Sequence, residues 1–315
     1  MYNYNAYNLG ICSALPLPEL ESSAGVIADV SIELGHIDWS PRFDSACDDE
    51  PRFECDGNVA YFFWSVVGKF SVTNGSRIVV DPIDGVEERL IRLPLLGAVL
   101  ATLLHQRGYL VLHASAVSIA DGAVLFLGQK GQGKSTTAAT LFGLGHKMIA
   151  DDIVALSITE TGRPAAAPGY PQFKLYPEAA AQSLGDNPKV LVQLADGYEK
   201  YGRRVNERFA KRNVPLDRIY VLRHGPRAKV TRLDPQAALL ALISNSYVAR
   251  FGKQLLSGEQ ASLHLQQCAR VMRNASMYLL ERPNSLTDLH SIARLIETTD
   301  NLPSPIMSQT ALQLV

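Results

Sequence analysis

The chain has 315 residues, 47% hydrophobic and 19% charged, with 23 Gly and 17 Pro. At about 150 residues per domain this predicts two domains, or one large α/β domain, with core enough to need no staples. The ordinary composition excludes collagen-like, coiled-coil and wholly disordered classes. Thirty basic against 31 acidic residues leave a net charge of −1, which argues against a nucleic-acid partner, since such binders carry a basic excess.

Cys12, Cys47, Cys55 and Cys268 form no C-x-x-C pair, so free thiols in a reducing compartment are expected rather than a disulfide framework or a zinc site. The opening MYNYNAYNLG has neither a basic start nor an apolar run, which predicts no signal peptide. The longest apolar stretch, Leu93–Leu104, falls short of the roughly 20 residues of a spanning helix. The expectation is a soluble, cytoplasmic protein with no membrane partner.

Residues 1–105 are predicted as a β-rich module. Ala28–Glu33, Ala60–Val66, Phe70–Val72 and Arg77–Val80 carry β-branched and aromatic residues, broken by Asp56-Gly57-Asn58, Asn74-Gly75 and Asp81-Pro82 through Asp84-Gly85. The acidic stretch Cys47–Glu54 reads as a solvated loop. Leu93–Gln106 reads as a helix apolar nearly all round, stopped at Gly108. Tyr109–Ile119 and Ala123–Leu127 are apolar runs joined by Ala120-Asp121-Gly122, a hairpin signal. Then come a helix at Ser135–Leu144, strands at Lys147–Ala150 and Ile153–Ile158, and a Gly/Pro-rich loop at Thr161–Pro171. Helices at Pro235–Ser246 and Ser257–Arg273, a strand at Met277–Leu280 and a helix at Ser285–Ile296 close the chain. Strands alternating with helices predict a mostly parallel sheet.

Residues 128–135 read Gly128-Gln129-Lys130-Gly131-Gln132-Gly133-Lys134-Ser135, a full G-x-x-x-x-G-K-[ST] match. Glycines admit backbone angles that turn successive N–H groups inward as an anion nest. The following helix adds the positive end of its dipole. Lys134 is placed to reach β and γ phosphates, and the Ser135 hydroxyl to ligate Mg²⁺. The apolar run Val124–Leu127 precedes the loop and Thr136–Leu144 follows it, the strand–loop–helix order the motif requires. The bland alternative is a glycine-rich turn with an incidental lysine.

Asp151 and Asp152 follow Met148-Ile149-Ala150 at a strand end. Two successive carboxylates there point different ways. One of Asp151 and Asp152 can serve a metal while the other faces an acceptor hydroxyl. The alternative is a solvated turn. His113, within Val111-Leu112-His113-Ala114-Ser115, reads more readily as a hydrogen-bonded strand histidine than as a functional one.

On these residues the sequence resembles the catalytic domain of the HPr kinase/phosphorylase family. That family combines a histidine before the loop, G-x-S-G-x-G-K-S, and a G-[HY]-x-[LIVM]-[LIVMAT]-[AD]-D-D segment. Here they are His113, Gly128–Ser135 and Gly145-His146-Lys147-Met148-Ile149-Ala150-Asp151-Asp152. The match is strong over residues 113–152 and loose over 106–300. It implies an α/β P-loop kinase domain related to phosphoenolpyruvate carboxykinase, at 106–315, behind the β-rich module. It also implies transfer of the γ-phosphoryl of ATP to a serine. Asp152 then matches the aspartate that deprotonates the acceptor, His113 the neighbouring histidine, Lys134 the phosphate lysine and Ser135 a magnesium ligand. Residues Gly128 to Thr136 would hold ATP. Glu178 is the nearest match for a second metal glutamate, with a surface carboxylate as its alternative. The sequence departs from the family at Lys130, where the family has Ser, and at Thr136, where Glu is frequent. No E-x-R-G follows Asp152, so a phosphorylase reaction is not implied. The whole looks most like the HPr-kinase-like proteins of bacterial peptide-biosynthesis clusters. That likeness implies a small precursor peptide, such as a lasso-type precursor, as acceptor.

Lys200 to Arg212 contains six basic residues and one acid, Glu207. It reads as a solvated basic face, or as the source of a cation on the transferring phosphoryl, with Arg204 the named choice. The resulting expectation is an ATP- and Mg²⁺-dependent serine kinase acting on a protein or peptide, with self-association left open. A nucleotide-binding regulator without turnover and a small-molecule or carboxykinase-like enzyme are the alternatives.

Overall fold

A computed structural model describes residues 1–25, 27–41, 51–158, 162–187, 191–205 and 207–299, without the side chains of 252 and 253. Cys47, Asp48, Asp49 and Glu50 of the acidic stretch lie outside the described residues, and from Arg52 the stretch is a strand and not the expected loop, because Arg52–Asp56 pairs with Val59–Trp64. The first sheet has eight strands among the described residues. Their spatial order is Glu21–Ser22, Tyr2–Ala6, Leu9–Ser13, Val30–Leu34, Arg77–Pro82, Gly68–Thr73, Val59–Trp64 and Arg52–Asp56. Alternate residues such as Val30 and Ile32, Ala60 and Phe62, Ile78 and Val80 are buried on one face. The apolar helical segment packs against them through Leu95, Val99, Leu100, Leu103 and Leu104.

That segment starts at Glu88, five residues before the predicted Leu93. Pro94 has no N–H to donate, and the following turn widens into a π-helix at Leu95–Val99 before Leu100–Gln106 resumes. The same core takes in Val111, Ile153, Ala155, Tyr170 and Tyr247 from later in the chain.

The second sheet is mixed, not mostly parallel. Val214–His224 runs parallel to Gly122–Leu127 on one side and to Ser276–Arg282 on the other. The ladders joining Ser115–Ile119 to Gly122–Leu127 and to Lys147–Ala150, Leu110–Leu112 to Val154–Ser157, and Lys229–Arg232 to Ser276–Arg282 are antiparallel. The cause is local: the predicted hairpin turns on Ala120 and Asp121, both at positive φ, and a two-residue turn forces antiparallel pairing. Parallel pairing needs a crossover, supplied by Lys134–Gly143 and by the pair Pro235–Ser244 and Gly258–Asn274.

Helices cover both faces. Leu125, Leu127, Ile219 and Leu279 pack with Ala238, Leu242, Cys268 and Val271, whereas Val124, Phe126, Tyr220 and Leu280 pack with Ala138, Leu141, Ile292 and Ile296. This two-sided burial is why the strand before the loop reads as a continuous apolar run. The last helix, Leu289–Glu297, begins later than the predicted Ser285, because Ser285 and Thr287 hydrogen-bond each other in a turn. Gln172–Leu175, Tyr201–Arg204 and Val192–Gln193 form a small antiparallel sheet, so the basic segment begins as a strand. Cys12, Cys55 and Cys268 are free thiols. Among the described residues no helix is long and apolar enough to cross a membrane.

Candidate active site

Gly122–Leu127 runs into the loop and then into the helix Lys134–Gly143. Gly128, Gly131 and Gly133 take φ of 142°, 91° and 84°, values that L side chains avoid. The Gly128 N–H donates to Asn245 Oδ1 (3.0 Å), which fixes the start of the loop. Lys134 folds back over it, donating Nζ to the carbonyls of Gly128 (2.7 Å) and Gln129 (3.3 Å). Burial pushes the Lys134 ammonium down to about 8; Asp152 and Asp151 oppose that shift, while Lys200 and Arg250 add to it. The loop lysine, the acidic pair and two further cations therefore share one electrostatic environment.

The acidic pair lies in an elbow. His113 and Ala114 interrupt one edge, between Leu110–Leu112 and Ser115–Ile119, and Asp151 to Ile153 interrupt the facing edge, between Lys147–Ala150 and Val154–Ser157. His113 thus stands at a break and not inside the single strand predicted for 109–119. Asp152 adopts φ +73°, a left-handed geometry that costs about 1–2 kcal/mol outside glycine. The two carboxylates diverge as expected.

Asp151 is buried, accepting from Ser115 Oγ (2.5 Å) and from the Lys174 N–H (2.8 Å). Asp152 is 24% exposed, facing Lys174 Nζ at 2.7 Å and His113 Nδ1 at 3.2 Å. His113 Nδ1 also lies 3.1 Å from the Asp152 carbonyl. Both partners only accept, so Nδ1 carries the proton. Burial works against charge on Asp152 and Lys174, yet Lys174 and His113 hold the Asp152 carboxyl well below the carboxylate range. Asp152 in turn holds the Lys174 ammonium well above its ordinary value.

Three buried tyrosines enclose this pair. Tyr7, from the turn after Tyr2–Ala6, donates to the Ile153 carbonyl (3.2 Å), and its N–H reaches the Pro168 carbonyl (2.7 Å). The Tyr170 hydroxyl is 3.4 Å from the Leu96 carbonyl. The Tyr247 ring meets His113 edge-on, with centroids 6.0 Å apart. Burial, joined by the Asp152 charge, pushes all three phenols up, Tyr170 to about 12.

Other expected residues sit elsewhere. Arg204 is exposed and donates to the Pro18 and Leu20 carbonyls, in the segment that precedes Glu21–Ser22 of the first sheet. Its guanidinium is engaged there and not at the loop, and Lys200 is the basic-segment residue whose charge reaches Lys134. Arg203 pairs with Asp186 and Lys211 with Glu21. Glu178 is exposed on the first turn of Pro177–Leu184. Among the described residues no three His, Cys, Asp or Glu side chains converge as a metal site, so Glu178 joins no such set.

The loop fits a phosphate chain. Among the described residues the N–H groups of Gly131 and Gly133 find no acceptor. Of the expected magnesium ligands, the Ser135 hydroxyl is uncommitted among the described residues, while Asp151 keeps only the lone pairs that Ser115 and Lys174 leave. Sequence reasoning missed Lys174, Asn245, Tyr247, Arg250 and Arg282. Only Asn245 had a local signal, as a helix-ending residue after Pro235–Ser244.

No family model matches the chain, and no curated protein matches it in sequence. Among solved structures the chain is similar to the Hpr(Ser) kinase/phosphatase from Coxiella burnetii, at 12% identity over 60% of this chain and 91% of that one. The TM-score is 0.29, too low for the likeness to bear on fold or activity.

Proposed function

We propose that the chain is an ATP- and Mg²⁺-dependent serine kinase acting on a protein or a small precursor peptide. The observation that carries the proposal is the elbow, which sets the ionised Asp152 close enough to act on Lys134 of a complete phosphate loop. The sequence resemblance supplies the acceptor class. Residues 106–315 carry the chemistry, and residues 1–105 contribute acceptor recognition.

In this reading the loop N–H groups of residues 128–135 receive the phosphate chain at the helix N-terminus. Lys134 exchanges its two loop carbonyls for phosphate oxygens. The Ser135 hydroxyl and Asp151 would hold Mg²⁺, which when bound neutralises charge on the phosphates. Asp152 accepts a hydrogen bond from the serine hydroxyl, orients it, and takes its proton as the serine O–P bond forms and the bond from the γ-phosphorus to the leaving ADP oxygen breaks. A carboxylate held this acidic is a weak base, so its proton arrives late, once the attacking oxygen has lost its basicity. His113 and Lys174 keep it aimed.

The test is incubation with ATP and Mg²⁺ against serine peptides encoded beside the gene, read by mass spectrometry. A phosphoryl on serine is the expected product. Asp152→Asn should keep nucleotide affinity within about threefold while losing transfer by at least about a hundredfold; transfer at the wild-type rate in that variant overturns the assignment. Lys134→Ala should lose both. ATP binding with no phosphoryl on any peptide would instead establish a nucleotide-dependent regulator.

A further inference from the structure

The parallel pairing of three strands brings Leu127, His224 and Arg282 to the same edge of the second sheet, beside the loop. Arg282 is only 4% exposed. Among the described residues no Asp or Glu pairs with it. Its contacts are two long hydrogen bonds to one acceptor, Nε and Nη2 to the Gln132 carbonyl at 3.3 and 3.2 Å. A buried cation without a counter-charge is costly, and burial pushes this guanidinium down.

The contact has a geometric effect on the loop. In a trans peptide the C=O of one residue and the N–H of the next point in opposite directions. By holding the Gln132 carbonyl, Arg282 turns the Gly133 N–H away from itself, and that N–H has no acceptor among the described residues. The approach requires glycine: a Cβ on residue 133 would stand 1.8 Å from Arg282 Nη2. Gly133 is therefore fixed both by its φ of 84° and by the arginine lying where a side chain would go.

We infer that Arg282, which lies outside the loop motif, is the positioning residue of the phosphate loop. It braces the Gln132–Gly133 peptide with its N–H turned toward a bound polyphosphate, whose charge compensates the buried guanidinium. The inference rests on the nucleotide-binding reading above and adds a residue to it.

Calorimetric titration of the full chain with ATP and with inorganic tripolyphosphate, in wild type, Arg282→Met and Arg282→Lys, tests it. Arg282→Met should weaken both ligands by about tenfold or more, the range of a hydrogen bond to a charged group. The loss should appear in the KM for ATP more than in kcat, because the brace acts on binding. Arg282→Lys keeps the charge without the fork and should recover part of the loss. A merely structural arginine would lower the melting temperature of both variants and leave the affinity of the folded fraction unchanged. Wild-type affinity for tripolyphosphate in Arg282→Met, or no recovery in Arg282→Lys, overturns the inference alone. Failure of the wild type to bind either ligand overturns the nucleotide reading and this inference with it. If Arg282→Met does not fold, Arg282→Lys against wild type decides: unchanged affinity for both ligands overturns the brace, and weakening of both supports it.

Discussion

Lys174 and Asp152 form a 2.7 Å ion pair at the centre of the elbow, with side chains 15% and 24% exposed. The same lysine holds Asp151 through its main-chain N–H, so one residue orders both carboxylates.

Replacing Lys174 by Met should therefore destabilise the fold by about 2–4 kcal/mol, somewhat less than for a fully buried pair because Asp152 meets solvent. The pH sign follows from Asp152. Burial opposes its charge, but Lys174 and His113 hold its folded pKa below the unfolded value. Its stabilisation is present above the ordinary carboxylate pKa and is lost as pH falls through the lowered one. Wild type should keep this contribution down to about pH 4. In Lys174→Met the acid loss should move up toward neutrality. Thermal melting from about pH 3 to 8 reads both; superimposable profiles would remove Lys174 from this role.

Phosphate binding should take up protons at alkaline pH. Burial leaves Lys134 with a folded value of about 8, so near pH 8 about half of it is neutral. Phosphate oxygens favour the charged form and would draw in about half a proton per ligand bound. Titration calorimetry in buffers of different ionisation enthalpy measures this. The uptake should vanish in Lys134→Met and at pH 6. The same group lowers stability below its folded pKa, and that penalty is relieved as pH rises from about 8 to 10.5.

The two basic-segment residues should separate cleanly. Arg204→Ala loses contacts to Pro18 and Leu20 and should cost about 1 kcal/mol of stability, with kcat within about twofold of wild type. Lys200→Ala should raise the Lys134 value, because Lys200 is one of the charges that lower it. Proton uptake on nucleotide binding at pH 8 should then shrink. A large loss of kcat in Arg204→Ala alone would restore it as the phosphoryl cation.

Asn245 should be needed for loop geometry. Asn245→Ala strands the Gly128 N–H and should weaken ATP by about five- to tenfold. Asn245→Asp retains the acceptor and should keep the melting temperature, but its charge beside the phosphates should weaken ATP by a similar factor. High salt should recover much of the aspartate's loss and little of the alanine's.

What was legible in the sequence was local. The nest at Gly128–Ser135 depends on glycines within eight residues, and the helices Lys134–Gly143, Pro235–Ser244 and Gly258–Asn274 follow from their own periodicity and ends. The His113–Asp152 pairing rested on resemblance, because neither residue's neighbours announce the elbow. The central strand Val214–His224 was not identified: Pro215 and the polar pair Asp217-Arg218 interrupt its apolar run, and the buried Arg218 turns its Nε to the partly exposed Asp217 Oδ2 at 3.0 Å. Lys174, Asn245 and Arg282 act across 22, 117 and 150 residues of chain. No local pattern encodes such distances, which sheet topology alone sets.

Tyr7 carries one consequence for how the molecule comes together. Its hydroxyl lies against a carbonyl 146 residues away, and its N–H waits on Pro168. During synthesis the first hairpin leaves the ribosome long before either acceptor exists. The hydroxyl and N–H at the left-handed turn of Tyr7 and Asn8 therefore find these acceptors only once residues 153 and 168 have followed. The floor beneath Ile153 is laid by the earliest residues and closed by much later ones. A chimera that exchanges residues 1–13 would remove that floor while leaving every motif residue in place.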